Sequence, residues 1–359
     1  MKIAVNTGGG DAPGLNAVIR SVVLAARQKG WDVYGIKYGY RGLIDTKHII
    51  RLTPEDVWDI TNIGGTILGT AIKGNPFDFT VAKPDGTFAE TDISDTIMSN
   101  FHALGFDALI AIGGDGSLRI ANRFFKKGMP IIGVPKTIDN DINATDVTFG
   151  FDTAVNTATE AIDKLHTTAK SHDRVMVVEV MGRYVGWIAL HSGISGSADV
   201  ILIPEIPFDL ERVCKKIRQL ALIGQDYAIV VVAEGAKQIG GEITVIEKAG
   251  MGSEARLGGI GRKVADAIGK ITGKETRHIV LGHLQRGGAP TTFDRLLALR
   301  FGAAAVRFAE AGKFGTMAAL HSAEIVSVPI EEAVSRMKSI SPDSDIIITA
   351  RSLGICFGD

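Results

Sequence analysis

Residues 131–141 read IIGVPKTIDND, and the rest of the chain is arranged around this stretch. The apolar residues 131–134 predict a short buried strand. A hydroxyl, two carboxylates and an amide follow that strand, at Thr137, Asp139, Asn140 and Asp141. Polar groups this dense, just past the carboxyl end of a parallel strand, lie where open α/β sheets bind ligands. They can bind a sugar or phosphate, hold a divalent metal or accept a proton. An Asx-rich turn that satisfies its own backbone explains them equally well.

A first glycine-rich turn, TGGGDAPG, occupies residues 7–14. It separates a predicted strand at 3–5 from a predicted helix at about 16–29. The turn therefore places backbone N–H groups at a helix N-terminus, which favours phosphate binding. The GxGxxG dinucleotide fingerprint is incomplete because Pro13 takes the place of its third glycine, and no GxxxxGK[ST] motif occurs. This turn alone is weak evidence for a nucleotide site.

A second glycine-rich turn, GGDGS at 113–117, follows a fully apolar strand at 108–112 and precedes a helix that ends near Lys126. Its glycines let the backbone approach a phosphate closely, and Asp115 is placed to hold Mg²⁺ beside it. A tight turn with a capping Asp is the alternative. It explains less, because three glycines around one acid cost backbone entropy that a plain turn does not require.

Strands and helices alternate along the chain, which indicates an α/β fold with mainly parallel sheets covered on both faces. The length of 359 residues is enough for about two domains. A helix is also predicted near 54–61, whereas residues 236–257 are interpreted only as a long excursion. Further predicted helices lie at 152–170, 210–222, 258–271 and 294–311.

Arginines at strand ends form a second pattern. One such arginine is usually a surface residue, but several beside a histidine and a glutamate suggest a sugar-phosphate site, since a guanidinium binds phosphate in a bidentate fork. The residues concerned are Arg174, Arg183, Arg277 and Arg286, with His283 and Glu234.

Composition excludes several classes of protein. The net charge is −1 and no basic tract occurs, so neither nucleic acid nor an anionic membrane is expected as a partner. The cysteines Cys214 and Cys356 lack metal-site or CxxC spacing and are predicted to be free thiols in a reducing compartment. The N-terminus reads as a strand rather than a signal peptide, and the apolar runs are too short to span a bilayer. We therefore expect a cytoplasmic protein.

Taken together, the motifs resemble those of the 6-phosphofructokinase family over nearly the full length. The GGDG element alone also occurs in lipid and NAD kinases, but those lack the TIDND and MGR elements. The matching runs are GGDAPGLN (9–16), GGDGS (113–117), TIDND (137–141), GFDTA (150–154), MGR (181–183), PE (204–205) and LGHLQRGG (281–288), with Pro290 and Asp294-Arg295.

The resemblance implies transfer of a phosphoryl group from ATP to the 1-hydroxyl of D-fructose 6-phosphate, a reaction of glycolysis. It also implies two Rossmann-like domains with an active-site cleft between them. The ATP and Mg²⁺ domain would comprise residues 1–149 and about 290–338, and the fructose 6-phosphate domain about 150–289 and 339–359. Asp139 would accept the hydroxyl proton, Thr137 and Arg183 would position or stabilise the transferred group, and Asp115 would serve the Mg²⁺ site.

The remaining contacts implied by the resemblance fall into two sets. The donor-binding residues would be Gly10, Ile72, Lys73, Gly114, Asp115, Gly116, Ser117 and Lys136. The substrate-binding residues would be Thr137, Ile138, Asp139, Arg174, Met181, Gly182, Arg183, Glu234, Arg277, His283, Leu284, Gln285 and Arg286. In the family, the equivalents of Arg174 and Arg277 reach the site from a neighbouring subunit, so a homo-oligomer, dimer or tetramer, is implied.

The chain departs from the family pattern where it would bind the phosphoryl donor. Many ATP-using members have Arg where this chain has Ile72, so one donor contact is lost, and Lys73 could compensate. Gly116 is typical of ATP-using members, because the Asp of pyrophosphate-using members would crowd and repel an α-phosphate. Lys136 is instead typical of pyrophosphate-using members, so the chain resembles the mixed-substrate bacterial group.

We expect ATP as the donor, because specificity is more often set by a repulsive element than by an extra attractive one. A reversible pyrophosphate-dependent phosphotransferase is the alternative. A non-catalytic regulatory homologue and a nicotinamide oxidoreductase are more distant alternatives, since the candidate catalytic residues are present and the dinucleotide fingerprint is not.

Overall fold

Apolar runs form the strands, and segments with one apolar face form most of the helices. The computed structural model describes residues 1–71, 74–82, 86–247 and 255–359. The strands are β1 (Lys2–Thr7), β2 (Asp32–Ile36), β3 (Ile49–Leu52), β4 (Phe79–Ala82), β5 (Phe88–Thr91), β6 (Ala108–Gly113), β7 (Ile131–Pro135), β8 (Val175–Val180), β9 (Val200–Leu202), β10 (Ala228–Ala233), β11 (Val245–Glu247), β12 (Arg256–Leu257), β13 (Thr276–Val280), β14 (Thr316–His321) and β15 (Glu324–Pro329). The α-helices are α1 (Leu15–Gln28), α2 (Ser94–Ala103), α3 (Asp115–Lys126), α4 (Phe151–Ser171), α5 (Trp187–Ser195), α6 (Leu210–Leu222), α7 (Ile260–Thr272), α8 (Thr292–Glu310), α9 (Ile330–Ala333) and α10 (Asp345–Ser352).

The chain divides into two units, and the described residues of the first lie within Met1–Asp152 and Arg286–Met337. This unit contains a seven-stranded sheet in the order β15-β14-β7-β6-β1-β2-β3. The five inner strands, from β14 to β2, pair in parallel, and the outermost strands β3 and β15 are antiparallel to their neighbours. The carboxyl ends of the inner strands β1, β6 and β7 therefore lie side by side, and each strand continues there into one of the candidate loops.

Strand pleating gives the first sheet two buried faces. Val5 and Ile110 belong to a core that α1 and α8 cover, whereas Ala4 and Leu109 belong to the opposite core, to which α2 and α3 contribute. Because successive side chains point to opposite faces, an uninterrupted apolar run is what a strand covered on both sides requires. The prediction of an α/β fold with mainly parallel sheets is confirmed.

The second unit comprises the described residues 153–247, 255–285 and 338–359. Its sheet has the order β13-β8-β10-β9, and all three pairings are parallel. Val177 and Val230 pack in a core with residues of α6 and α7. The neighbouring strands β13, β8 and β10 run in the same direction, so their carboxyl ends and the loops that follow them lie side by side.

Two segments differ from the sequence-based expectation or refine it. The predicted helix near 54–61 is wrong, because the chain there forms only a 3₁₀ turn at Glu55–Val57. The Asp56 carboxylate accepts bonds from both the amide and the hydroxyl of Thr53, each at 2.8 Å. These bonds resemble a capping box and support the start of a turn, but the helical conformation is not continued into a full helix. The excursion at 236–257 contains the antiparallel pair β11–β12, and residues 248–254 lie outside the described part of the chain.

Two further sequence-based expectations can be compared with the structure. Cys214 and Cys356 are free thiols, as predicted. None of the helices that the structure describes has the length and apolar character needed to cross a membrane.

Candidate active site

The TIDND turn follows β7 and is fixed by its own hydrogen bonds. The Asp139 amide donates to the Thr137 hydroxyl at 3.0 Å, and the Thr148 amide donates to the Asn140 side-chain oxygen at 3.2 Å. The Thr148 hydroxyl donates to the Thr137 carbonyl at 2.8 Å. Both interpretations of these residues therefore hold in part. The turn satisfies much of its backbone, and it also holds the Asp139 carboxyl group in a site that leaves the residue only 5% exposed.

Lys136 is the cation of this turn. It is 3% exposed, and its Nζ donates a hydrogen bond to the carbonyl of Gly10 in the first glycine-rich turn. Burial, together with the nearby Arg286 guanidinium, lowers the pKa of Lys136 to about 8. Three carboxylates oppose this shift, those of Asp139, Asp11 and Asp141. The ammonium group is therefore charged at neutral pH and loses its proton in the mildly alkaline range.

Asp141 titrates in the opposite sense. Burial, together with the charges of Asp139 and Asp115, raises its pKa to about 7. Among the residues that the structure describes, its Oδ1 has no hydrogen-bond partner. A carboxylate in such surroundings gains from binding either a proton or a cation.

The two glycine-rich turns pack against each other within the first unit. The Gly8 amide donates to the carbonyl of Ile112 at 2.9 Å. A Cβ at Gly8 would lie 2.7 Å from the Ser117 hydroxyl, and one at Gly114 would lie 3.2 Å from the Lys136 carbonyl. These glycines are needed for close approach, and together they align the start of α3 with the first turn and the TIDND turn.

Asp115 and Gly116 form the first turn of α3. The Asp115 carboxylate accepts a bond from Arg119 Nε at 2.8 Å, one helical turn further along. A Cβ placed on Gly116 would have no atom within 4 Å, so the space in front of this residue is open. No group of three or more His, Cys, Asp or Glu residues arranged for a metal occurs in the described ranges.

Arg286, which was predicted to bind the sugar phosphate, contacts the first glycine-rich turn. Its Nη1 donates to the Asp11 carbonyl at 3.0 Å. A Cβ on Gly10 would come within 2.9 Å of the same guanidinium nitrogen. The side chains of Arg286 and Lys136 therefore both contact Gly10, and they place two positive charges beside the first glycine-rich turn.

The loops after β8 and β10 meet in the second unit. The Arg183 amide donates to Glu234 Oε1 at 3.0 Å, and a Cβ on Gly235 would collide with the Arg183 carbonyl, at 1.9 Å. Arg183 adopts a left-handed backbone conformation, with φ 52°. Burial raises the pKa of Glu234, and the hydrogen bond from the Arg183 amide opposes that rise. The structure thus joins the MGR loop, including Met181 and Gly182, to Glu234.

The loop after β13 forms a 3₁₀ turn, Gly282–Arg286. His283 and Leu284 are exposed on it, whereas Gln285 is fully buried. The Gln285 amide group donates to the Gly282 carbonyl at 3.1 Å, so this side chain stabilises the turn. Ile138, which was also in the substrate set, is fully buried as well. Its side chain therefore belongs to the core.

Arg174 and Arg277 lie at the opposite end of the strands, where the strands of this parallel sheet begin. Arg174 immediately precedes β8 and Arg277 lies near the start of β13, whereas Arg183 follows the end of β8. Both form ion pairs with Glu275, Arg174 through its Nε at 2.9 Å. The interpretation of four arginines as a single cluster is therefore wrong within one chain, because parallel strands separate the residues that precede them from the residues that follow them.

One buried carboxylate was missed by the sequence analysis. Glu179 lies in β8, is 2% exposed, and accepts bonds from the amides of Gly259 and Gly261 at the start of α7. The available signal was a lone acid in the otherwise apolar strand VMVVEV. The predicted donor residues Ile72 and Lys73 lie outside the described residues.

The phosphofructokinase family profile matches residues 2–309. The chain is 53% identical over 358 residues to an "ATP-dependent 6-phosphofructokinase" of Chloroflexus aurantiacus, covering 100% of this chain and 98% of that protein. It is 48% identical to "ATP-dependent 6-phosphofructokinase 2" of Clostridium perfringens, covering 100% and 98% of the two chains. The chain therefore belongs to the phosphofructokinase family.

Solved structures agree with this assignment at the level of the fold. A phosphofructokinase of Pichia pastoris in the T-state superposes with a TM-score of 0.80 at 33% identity, and the match covers 98% of this chain and 36% of that longer chain. A pyrophosphate-dependent phosphofructokinase of Nitrosospira multiformis also gives a TM-score of 0.80, but at 22% identity, over 98% of this chain and 90% of that one. The second similarity concerns the fold alone.

Proposed function

We propose that this protein transfers the γ-phosphoryl group of ATP to the 1-hydroxyl of fructose 6-phosphate, forming fructose 1,6-bisphosphate and ADP. The observation that carries the proposal is the buried Asp139, held in the TIDND turn beside Lys136 and the N-terminus of α3 in a phosphofructokinase chain. Two relatives that are 53% and 48% identical to this chain over its full length are named ATP-dependent enzymes, which supports ATP as the donor.

The first unit would bind the donor. Backbone N–H groups of the two glycine-rich turns, at Gly10 and at Gly114 to Ser117, would cradle its phosphates at the N-terminus of α3. Lys136 would place a positive charge beside the group in transfer. The open space at Gly116 leaves room for an α-phosphate and the nucleoside attached to it. Phosphoryl transfer depends mainly on this kind of positioning and charge stabilisation.

Asp139 would accept the proton of the 1-hydroxyl as its oxygen attacks the γ-phosphorus and the bond to ADP breaks. The Thr137 hydroxyl, which holds the Asp139 amide, fixes the turn in which that carboxylate lies. Arg183 would stabilise the charge of the transferred group.

Mg²⁺ fits the acidic residues beside the donor turns. Mg²⁺ binds through one or two carboxylates together with substrate phosphates, so a cage of three protein ligands is not required. Asp115 would be its principal ligand, and the Oδ1 of Asp141, which has no hydrogen-bond partner in the described ranges, would be a second oxygen donor. When bound, the ion neutralises charge on the donor phosphates.

The second unit would bind the sugar phosphate through the loops after β8, β10 and β13. Met181, Arg183, Glu234 and the exposed His283 would provide the contacts, because the strand order places these loops side by side. Arg174 and Arg277, which lie where the strands begin, would act in the site of a neighbouring subunit of a homo-oligomer. Their shared pairing with Glu275 keeps both side chains at that end of the sheet.

The proposal is tested with purified protein, fructose 6-phosphate and Mg²⁺, comparing ATP with pyrophosphate as the donor. We expect formation of fructose 1,6-bisphosphate and ADP, with a higher kcat/KM for ATP. A higher kcat/KM for pyrophosphate would show that Lys136, rather than Gly116, indicates the donor. Absence of transfer from both donors would overturn the proposed reaction itself.

A further inference from the structure

Tyr38 adopts an unusual backbone conformation for a large side chain. It follows β2 with φ 59° and ψ 42°, in the left-handed region, immediately before the 3₁₀ turn Gly39–Leu43. Its amide donates to the carbonyl of Leu68 at 3.0 Å. Bulky residues are rare in this region, and such strain is concentrated at ligand-binding and catalytic sites.

The backbone next to Tyr38 lies beside the first glycine-rich turn, and the Tyr38 ring lies against Gly69. A Cβ on Gly39 would be 3.5 Å from the Thr7 carbonyl and 3.9 Å from the Gly8 Cα, so the backbone after Tyr38 touches that turn. On the other side, a Cβ on Gly69 would lie 2.8 Å from Cε1 of Tyr38. The residue after Gly69, Thr70, donates its hydroxyl to the Gly9 carbonyl.

Tyr38 nevertheless keeps much of its surface open. The residue is 45% exposed. Its recorded aromatic neighbour is His48, which makes an edge contact with ring centroids 5.4 Å apart at 83°. A tyrosine ring that already packs against Gly69 and His48 provides a flat π surface at low entropic cost, because these contacts restrict the side chain before a ligand binds.

We propose that Tyr38 stacks against the base of the nucleotide whose phosphates lie on the two glycine-rich turns. This inference rests on the proposed donor site and adds to it a residue that contributes to donor specificity. Stacking requires a π face rather than particular hydrogen bonds, so the ring accepts purine nucleotides generally. It favours a nucleoside triphosphate over an inorganic donor of equal charge, which has no base to stack.

The test compares equilibrium binding of two probes, a non-hydrolysable ATP analogue and inorganic tripolyphosphate, each with Mg²⁺. Tyr38→Asn removes the ring and retains a residue that tolerates the left-handed conformation, and Tyr38→Phe retains the ring without the hydroxyl. The Asn variant should bind the ATP analogue with an affinity roughly five- to a hundredfold lower, the scale measured for base–aromatic stacking. Its affinity for tripolyphosphate should be unchanged. Phe should bind both probes as the wild type does.

Trp58→Asn is the matched control, because Trp58 is an aromatic residue of the same unit and is 75% exposed. It should change neither affinity. If Tyr38→Asn weakens both probes equally, the ring supports the loop rather than the base, and the proposal fails. It also fails if neither affinity changes. Because these measurements need no turnover, they remain decisive even if the protein transfers no phosphoryl group to fructose 6-phosphate.

Discussion

At the scale of single residues, the proposed reaction depends most on Asp139. We expect Asp139→Asn to leave the fold intact and to lower kcat by about two to four orders of magnitude, the contribution of a general base. Asn occupies the same space and cannot accept the hydroxyl proton. Steady-state kinetics with circular dichroism as the folding check measure this. Asp163→Asn, an exposed acid on α4, is the control and should retain kcat. Near-normal kcat in the Asp139 variant would mean that another group accepts the proton.

Lys136 predicts a particular pH dependence of donor binding. Its pKa is lowered to about 8, so the ammonium group is charged well below that pH and loses its charge as the pH rises through it. The KM for ATP should therefore rise above pH 8. Lys136→Met, a neutral side chain of similar length, should have a high KM that no longer varies over this range. The wild-type and Met values should converge in alkaline solution, and persistent separation there would show that Lys136 keeps its proton.

Gly116 is the residue that should distinguish the two donors. Since no atom lies within 4 Å of the position its Cβ would take, an added side chain meets no protein atom there. We expect Gly116→Asp to fold normally and to reduce kcat/KM for ATP far more than for pyrophosphate, because the new carboxylate repels and obstructs an α-phosphate. Gly116→Ala adds bulk without charge and should retain most ATP use. Equal losses with both donors in the Asp variant would contradict this account.

At the scale of elements, Glu179 joins strand β8 to helix α7. Its carboxylate accepts bonds from Gly259 at 3.0 and 3.1 Å and from Gly261 at 2.7 Å. Glu179→Gln replaces one acceptor oxygen with an NH₂ donor. Because the Gly259 amide contacts both carboxylate oxygens, in either orientation of the new side chain this NH₂ group faces the Gly259 amide, donor against donor. We expect the free energy of unfolding to fall by about 1–3 kcal/mol, measured by urea denaturation.

Glu247→Gln provides the comparison for that measurement, because Glu247 is exposed on β11. It should leave stability unchanged. An equally stable Glu179→Gln protein would indicate that water reaches the start of α7 and takes over the lost bond.

A long helix with a clear apolar period was predictable, and two shorter elements were not. Helix α6 has the predicted bounds, Leu210–Leu222, because its apolar face repeats with the helical period. The segment near 54–61 carries a helix-start pattern, in which Asp56 binds back to Thr53, but only the 3₁₀ turn Glu55–Val57 forms. The hairpin β14–β15 was not predicted. Its turn includes Ser322, whose left-handed conformation is supported by a bond from its amide to the distant Asp146.

The site shows the same division between local and tertiary information. The MGR loop and Glu234 are adjacent because they follow neighbouring parallel strands, whose carboxyl ends lie side by side. The alternation of strands and helices in the sequence already implies such a parallel sheet. The location of Arg286 does not follow from it, because its partner Asp11 is 275 positions away in sequence. Glu179 could not be assigned either, since its ligands are backbone amides of glycines that the sequence presents only as a helix start.

At the scale of the whole molecule, the positions of Arg174 and Arg277 require a second subunit if these residues are to contact the sugar phosphate. Both precede or begin their strands, while the proposed sugar-phosphate contacts follow them. Symmetric oligomers make such sharing reciprocal, because each subunit contributes the same residues to its partner's site. One site would then combine Asp139 of one chain with Arg277 of another. This arrangement can be tested without knowing the interface.

We expect the single variants Asp139→Asn and Arg277→Ala each to have little activity, and their co-expressed mixture to recover part of it. In a mixed dimer, one site would combine the intact Asp139 of one subunit with the intact Arg277 of the other, and the second site would carry both changes. Random assembly of equal amounts should then restore about a quarter of the wild-type rate. Separately purified variants that are combined without subunit exchange are the control and should stay inactive. No recovery in mixed oligomers that are verified by two affinity tags would place Arg277 in its own subunit's site or outside the reaction.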